Sequence, residues 1–264
     1  MTDTDTREDV ADATSTGFHT VIFPVITLLC LVALWELLVR WLGIQSWLLP
    51  APTEIVRMAI DWRRELAWHS AVTLYETLLG FGLALLVGIP LAVVVVYSRF
   101  LQNTIYPILL ALQSMPKVAI APLLTLWIGF GALPKILIVF LVCFFPIIVA
   151  TTSGLGSVRP VFLELTQSLC ATSLQTFVKV RFPSAMPSIF VGMKIAITLA
   201  VVGAVIGEFV GAQDGLGYLI LISSNQSRTA LAFAALVALT VMSIVLYYAI
   251  EVLEHYVAPW GSRR

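Results

Sequence analysis

The chain has 264 residues, of which 59% are hydrophobic and 11% are charged, and its 15 basic residues balance its 15 acidic ones. This composition excludes an ordinary soluble domain, because the apolar residues recur in runs long enough to cross a bilayer. A formal net charge of zero offers no basic surface for nucleic acid.

The first seventy residues fall into three segments that differ in composition. Residues 1–18 are acidic and rich in Thr, Asp and Ala, which predicts a disordered cytoplasmic tail, because they bury too little apolar surface to order. Residues 20–42 are predicted to form the first transmembrane helix, retained in the mature protein because the basic region and cleavage site of a signal peptide are missing. Residues 43–69 predict a surface segment with an amphipathic helix that starts at Pro52 or Thr53.

Five further apolar runs bring the prediction to six transmembrane helices in an all-α membrane protein. These runs cover residues 73–97, 103–128, 134–155, 188–210 and 230–253. The Lys and Arg residues of the loops divide almost equally between the two sides, so the positive-inside rule does not decide the orientation.

A polar stretch over residues 161–183, between the fourth and fifth spans, cannot itself cross a membrane. Phe162, Leu165 and Leu169 recur at helical spacing while Glu164 falls on another face. This pattern predicts a short amphipathic helix exposed to the aqueous phase.

A second short helix is predicted to follow within the same stretch. Thr172 and Gln175 have the spacing of a capping box, which would start this helix after a turn. Pro183 and Pro187 are expected to end it, because proline lacks an amide donor and disfavours helix in the residue before it. We call residues 161–183 the elbow.

The elbow resembles the EAA loop of permease subunits of binding-protein-dependent ABC importers: Glu-Ala-Ala, three residues, Gly, nine residues, then Ile-x-Leu-Pro. Glu164 holds the Glu position, Cys170 replaces the glycine, and Pro183 closes the motif at the right distance. The resemblance implies that the elbow is a coupling helix seated in a groove of a cytoplasmic ATPase subunit. The implied coupling residues are Glu164, Leu165, Thr166, Cys170, Ala171, Val180 and Pro183. The alternative is an interfacial helix without a partner.

A second resemblance lies in the third predicted span. Met115, Pro116, Lys117 and Pro122 belong to a run similar to the "PxxAxxPLxxLWFGxG" pattern of importers for nitrate, sulfonates, taurine and relatives. Prolines interrupt the backbone hydrogen bonds, which predicts a discontinuous helix at the translocation pathway. A proline kink that only shapes packing is the alternative.

Lys117 stands about fourteen residues into this span, close to the membrane midplane at about 1.5 Å per residue. A charged side chain at that depth needs a cavity or a partner. Lys117 therefore either lines a pathway for an anionic solute or forms a buried ion pair with Glu76 or Glu208.

A third run, residues 203–218, is similar to the "EmigAxxGLGyll" pattern at the outer end of the family's fifth span, and it contains Glu208, Gly215 and Gly217. The two glycines predict a flexible turn before a re-entrant segment that could close an outer gate; glycine for packing alone is the alternative. The candidate pathway and gate residues are thus Met115, Pro116, Lys117, Pro122, Glu208, Gly215 and Gly217.

These runs extend the resemblance over about residues 70–255, the predicted permease core. It implies the fold of a type I ABC importer permease of the nitrate/sulfonate/taurine-like family, a multi-pass protein of the inner (cytoplasmic) membrane. The implied partners are two ABC ATPase subunits, an extracytoplasmic solute-binding protein, membrane lipid and a second copy of the permease, since one chain supplies one elbow and half a pathway.

Enzymatic readings have no support in the sequence. The three cysteines, Cys30, Cys143 and Cys170, have no metal-ligand spacing, and no serine or cysteine has a histidine base within a span. The chain has no phosphate loop ending in Gly-Lys-Ser/Thr, so ATP hydrolysis is left to a partner subunit. We expect no cofactor, metal or nucleic acid, and the alternative function is an ATP-independent channel or secondary carrier.

Overall fold

The structure is a computed structural model that describes residues 5–260, with side chains from residue 23 onward except at positions 99, 105, 106 and 110. Every regular element in this range is a helix. In chain order these are α1 (Asp5–Trp41), α2 (Pro52–Asp61), α3 (Arg63–Tyr97), α4 (Arg99–Gln113), α5 (Lys117–Ile128), α6 (Ala132–Gly156), α7 (Pro160–Ser168), α8 (Ser173–Thr176), a π-helical turn (Phe177–Arg181), α9 (Phe182–Gly211), α10 (Leu216–Asn225) and α11 (Thr229–Val257).

Five helical stretches of the described residues are long and apolar enough to cross a membrane. The count becomes six when α4 and α5, which are bent by 92° at residues 114–116, are taken as one broken span. The predicted all-α protein with six spans agrees with this second count, and the predicted interruption of the third span falls at Pro116. At ten residues, α10 is too short to cross the membrane.

Two predicted boundaries differ from the structure. α1 begins at Asp5, so the backbone is helical over most of the predicted tail, and residues 1–4 lie outside the described residues. Extending an existing helix adds one hydrogen bond per residue, so polar composition alone does not stop it. The predicted surface segment ends early, because Trp62 closes α2 and α3 begins at Arg63 instead of residue 73.

The chain divides into two compact units, the first made of residues up to Trp62 together with Ser223–Ala234. In this unit Glu36 of α1 accepts hydrogen bonds from the amide (3.0 Å) and the hydroxyl (2.9 Å) of Thr53 in the first turn of α2. Buried Val39, Ala51 and Ile55 add apolar packing. The first predicted span and the amphipathic helix are therefore joined within one unit.

The second unit, residues 63–222 with 235 onward, is built around α3, α6 and α9. Along α9, Gly192 faces Ala150, Gly203 faces Val139 and Gly207 faces Lys135. The partner numbers fall as the α9 numbers rise, so α6 and α9 are antiparallel. Glycine at each contact lets the two backbones approach closely, as is usual between helices in lipid.

α3 packs against the same helix α6 but runs parallel to it, since Gly80 faces Val139 and Gly88 faces Ile147. The first turns of α3 and α6 therefore lie at the same end of the bundle as the last turns of α9. Glu208 stands 26 residues after the start of α9 at Phe182, about 39 Å along the axis at 1.5 Å per residue. This places one polar group of residues at the elbow and another at the far end of α9.

Candidate functional site

The elbow contains the two short helices that the sequence predicts, α7 and α8. Thr172 Oγ1 accepts a hydrogen bond from the amide of Gln175 (3.3 Å), and the amide of Thr172 donates to Gln175 Oε1 (2.9 Å). This is a complete capping box, which confirms the predicted start of the second helix.

The predicted end of that second helix is wrong. α8 continues through the π-helical turn into α9, so a single helical stretch runs over Ser173–Gly211. Pro183 directly follows the π-helical turn, where the regular α-helical hydrogen-bond ladder is already interrupted. Pro187 has no amide to offer the carbonyl of Pro183, but Trp260 Nε1 donates to that oxygen instead (3.1 Å).

The turn between α7 and α8 explains why the family motif has a glycine where this chain has Cys170. Cys170 has φ of 52°, in the left-handed region. Its amide donates to Gln167 O and the amide of Ala171 donates to Thr166 O, both at 2.9 Å. This is a Schellman motif, whose left-handed position favours glycine, and Cys170 adopts the same backbone with a side chain.

The outward face of the elbow is apolar although it is exposed. The side chains of Leu165, Leu169, Leu174 and Val178 are between 53% and 72% exposed, and Glu164 is exposed among them. In the described chain this face has no protein covering.

The inward face of the elbow packs on the bundle. Phe177 and Phe182 contact the core of the second unit, and the guanidinium of Arg181 lies 5.4 Å from the ring centroid of Tyr97, the last residue of α3. Val180 and Pro183 are half-buried and line a groove of about 470 Å³ together with Trp260. The predicted coupling residues are thus brought together, some facing outward and some anchoring the elbow.

The second candidate group lies at the break between α4 and α5. Met115 and Pro116 occupy the break and are exposed, as is Pro122 inside α5. Lys117 is the first residue of α5; its ammonium donates to Gln113 O (3.2 Å) and lies 5.3 Å from the ring centroid of Phe145.

Of the two alternatives for Lys117, the ion pair with Glu76 or Glu208 is not formed in the structure, and the pathway-lining role stays a prediction. Phe145, beside Lys117, is ten residues along α6 from Lys135, a separation of about 15 Å. Lys135 is the residue that pairs with Glu76. Lys117 therefore sits too far along the bundle to reach either glutamate.

The third group is a buried polar cluster at the far end of α9. The ammonium of Lys135 contacts Glu76 Oε1, and the two residues are only 8% and 1% exposed. Two charges that are both withdrawn from water are stable only when they are paired, so the pair joins α3, at its fourteenth residue, to the first turn of α6.

Glu208 belongs to the same cluster and binds the start of α10. Its carboxylate accepts from Thr73 Oγ1 (2.7 Å) and from the amide of Gly217. The amide of Leu216 donates to Thr73 Oγ1 (2.8 Å), and the amide of Gly215 donates to His69 Nδ1 (3.0 Å). Three successive amides at the start of α10 are thus satisfied by side chains of α3 and α9.

The glycines of this turn have specific reasons to be glycine. Gly215 has φ of +116°, and a Cβ added there would collide with the carboxylate of Glu208. A Cβ on Gly217 would also meet Glu208. These contacts support the packing alternative for both residues, and the outer gate stays a prediction.

Sequence reasoning singled out Glu208 but overlooked His69, Thr73 and Lys135 as its neighbours. The sequence did contain a signal for this cluster. Each of three charged residues falls close to one end of a predicted span: Glu76, Lys135 and Glu208. The alternating order of the spans puts those ends on one side of the membrane.

Residues 84–262 match the family model described as the inner membrane component of binding-protein-dependent transport systems. The chain belongs to this family. It is 35% identical to the formylaminopyrimidine transport permease protein of Halalkalibacterium halodurans, over 91% of this chain and 96% of that protein. It is 28% identical to the putative aliphatic sulfonates transport permease protein of Bacillus subtilis, over 88% of this chain and 85% of the relative.

Among solved structures, an inward-facing form of the MetNI methionine ABC transporter matches 73% of this chain and 94% of its own chain, with a TM-score of 0.62 and 21% identity. This likeness confirms the predicted type I importer permease fold. The chain is therefore a permease subunit of an ABC importer in the sulfonate/taurine-like family and a multi-pass protein of the inner membrane, as the sequence resemblance implied.

Proposed function

We propose that this permease moves a small solute inward across the cytoplasmic membrane, driven by ATP that separate subunits hydrolyse while docked on its elbows. The observation that carries the proposal is the uncovered apolar face of the elbow, formed by Leu165, Leu169, Leu174 and Val178. Exposed apolar patches beside a charged residue such as Glu164 are typical of protein contact sites.

The elbow is built to transmit force to the bundle. Its second helix continues without interruption into α9, and Phe177 and Phe182 fix its inward face to the core. A displacement imposed on the elbow by an ATPase subunit would therefore move α9 as a rigid helix, the kind of movement that alternating access requires.

The proposal orients the chain with the elbow in the cytoplasm. The polar cluster around Glu208 then lies toward the outer face, where a solute-binding protein would deliver its cargo. A second copy of the permease would supply the other elbow and the other half of the pathway. Met115, Pro116, Lys117 and Pro122 would line that pathway at the break between α4 and α5.

The relatives narrow the solute class. One is named for a formylaminopyrimidine and another for aliphatic sulfonates, which are both small, water-soluble organic molecules. We infer that the solute of this permease is a small organic compound of the same kind.

Glu164→Lys tests the docking. The reversed charge would meet the ATPase groove wrongly and remove about 2 kcal/mol of binding, which is roughly thirtyfold in affinity. We expect the ATPase subunit to be lost when the tagged permease is purified from membranes, with permease yield unchanged.

The matched control is Asp61→Lys, an exposed charge reversal at the end of α2, which should retain the ATPase. Co-purification of Glu164→Lys at the level of the unaltered chain, with normal uptake, would contradict the docking role. Uptake that continues without any ATPase subunit would instead favour a channel or secondary carrier.

A further inference from the structure

A cavity opens beside the buried Glu76–Lys135 pair, and we call it the Glu76 cavity. Its volume is about 390 Å³, and its lining includes Val72, Glu76, Phe130, Ala132, Lys135 and Asp214. Cavities of a few hundred cubic ångströms with few polar groups are the usual form of small-molecule sites. Neither the coupling elbow nor the break at Lys117 contributes to this lining.

One carboxylate oxygen of Glu76 has no partner among the described residues. Glu76 Oε1 pairs with Lys135, whereas Oε2 is buried without a hydrogen bond. Buried polar atoms almost always have a partner, so an unpaired carboxylate oxygen in a residue that lines the cavity indicates a place for a donor.

The charges around the cavity favour a donor or a cation over an anion. Three carboxylates, Glu76, Glu208 and Asp214, lie near a single positive charge, that of Lys135. The nearby His69 adds no second donor toward the cavity through Nδ1, because this nitrogen accepts a hydrogen bond from the amide of Gly215. Glu208 is already occupied by Thr73 and Gly217, and Asp214 accepts from Trp68 Nε1 at 3.1 Å. Among the described lining residues, Glu76 Oε2 is the buried acceptor without a donor, and the half-exposed carboxylate of Asp214 adds a second acceptor at the rim. A sulfonate or nitrate group would meet repulsion from the excess carboxylates.

The rim of the cavity adds an apolar contact. The ring of Phe130 is largely exposed in the turn between α5 and α6, next to Gly211 at the end of α9. An aromatic ring beside a carboxylate suits a planar or cationic nitrogen group.

We propose, on the basis of the importer function proposed above, that the Glu76 cavity binds the nitrogen-bearing end of the solute, through an N–H or cationic donor to Glu76 Oε2. The site lies at the far end of α9 from the elbow, so it is the first part of the permease that the solute meets. It selects amino-substituted or protonated nitrogen compounds and rejects simple anions.

The test uses the full-length permease, purified with its co-expressed ATPase partner into lipid nanodiscs. Saturation-transfer NMR compares three probes at equal concentration: 4-aminopyrimidine, which has a donor, pyrimidine, which lacks one, and ethanesulfonate, an anion. We expect the strongest transfer to 4-aminopyrimidine, and binding about tenfold weaker in Glu76→Gln, because a hydrogen bond to a charged acceptor is lost.

Two further variants separate binding from folding. Ala132→Phe fills the cavity and leaves the ion pair intact, so it should remove the 4-aminopyrimidine signal even if Glu76→Gln fails to fold. Glu251→Gln neutralises a carboxylate on the exposed side of α11 and should leave the signal unchanged.

Equal transfer to all three probes would overturn the proposal, and so would a 4-aminopyrimidine signal that survives Ala132→Phe. It would also be overturned if ethanesulfonate gave the strongest transfer and its signal were lost in Lys135→Met. Co-purification of the ATPase in the same preparations reports separately on the importer function. If the ATPase is retained while the probe results fail, only the assignment of the cavity is wrong.

Discussion

The two ends of α9 reverse the usual arrangement of polar and apolar residues. At the elbow, Leu169 and Leu174 are exposed, while at the far end Glu208 is buried with both carboxylate oxygens hydrogen-bonded. Glu208 is satisfied within the chain, whereas the elbow leaves an apolar face uncovered. The difference indicates where a partner is needed, because an apolar face that the chain does not cover itself is a surface for another protein to bind.

The largest expected effect is at the buried ion pair. Lys135→Met leaves Glu76 charged and unpaired, so we expect the free energy of unfolding in detergent to fall by about 3–5 kcal/mol. The same change at Lys179, an exposed residue of the elbow, should stay within about 0.5 kcal/mol.

The double variant Glu76→Gln/Lys135→Met supplies the control, because it removes both charges and should recover most of the loss. A loss at Lys179 as large as that at Lys135 would abolish the contrast between the two ends of α9.

The next effect concerns the turn into α10. Gly215→Ala forces a side chain into the left-handed region and against the carboxylate of Glu208, so we expect a loss of about 2–3 kcal/mol in thermal or denaturant unfolding. Gly82→Ala is the matched change, since a Cβ at Gly82 meets nothing within 4 Å. It should be neutral or stabilising by up to about 1 kcal/mol; equal losses at both glycines would show that the turn is not held by Glu208.

A smaller effect is expected where Trp260 meets the elbow. Trp260→Phe keeps an aromatic ring but removes the donor to Pro183 O, which should lower the free energy of unfolding by about 1 kcal/mol. Trp127→Phe, at an exposed tryptophan of α5, should change stability less. If the two substitutions behave alike, the indole does not replace the amide that Pro187 lacks.

The smallest expected effect is a gain in stability instead of a loss. Cys170→Gly restores the residue of the family motif at a left-handed position and should stabilise the chain by about 0.5–1 kcal/mol. The gain should appear as a higher melting temperature in the same detergent. A destabilisation would mean that the thiol contributes packing that its exposure does not suggest.

Local signals in the sequence predicted the local structure well. The capping box at Thr172 and Gln175 and the helix break at Pro116 depend on residues close together in the chain. The six spans follow from hydropathy alone. Such features need no knowledge of which helices pack together.

Features that depend on distant residues were harder to predict. Lys117 was chosen for its depth in a span, yet pairing depends on how α3, α6 and α9 are rotated against one another, and Lys135 reaches Glu76 instead. The expectation that Pro187 ends a helix failed because the replacement donor is Trp260, which lies 77 residues from Pro183. Neither contact can be inferred from spacing along the chain.

The glycine contacts between α6 and α9 also limit how the protein can move. Gly192, Gly203 and Gly207 each pack directly against one residue of α6 and leave little room for a side chain at these contacts. Gly203 and Gly207 are one turn apart, so a slide of α9 by four residues could keep a glycine opposite Lys135, but it would replace Gly192 by Ala196 or Ser188 opposite Ala150. The contact at Gly192 therefore opposes sliding of α9 along α6, which favours a transport cycle in which these two helices move together.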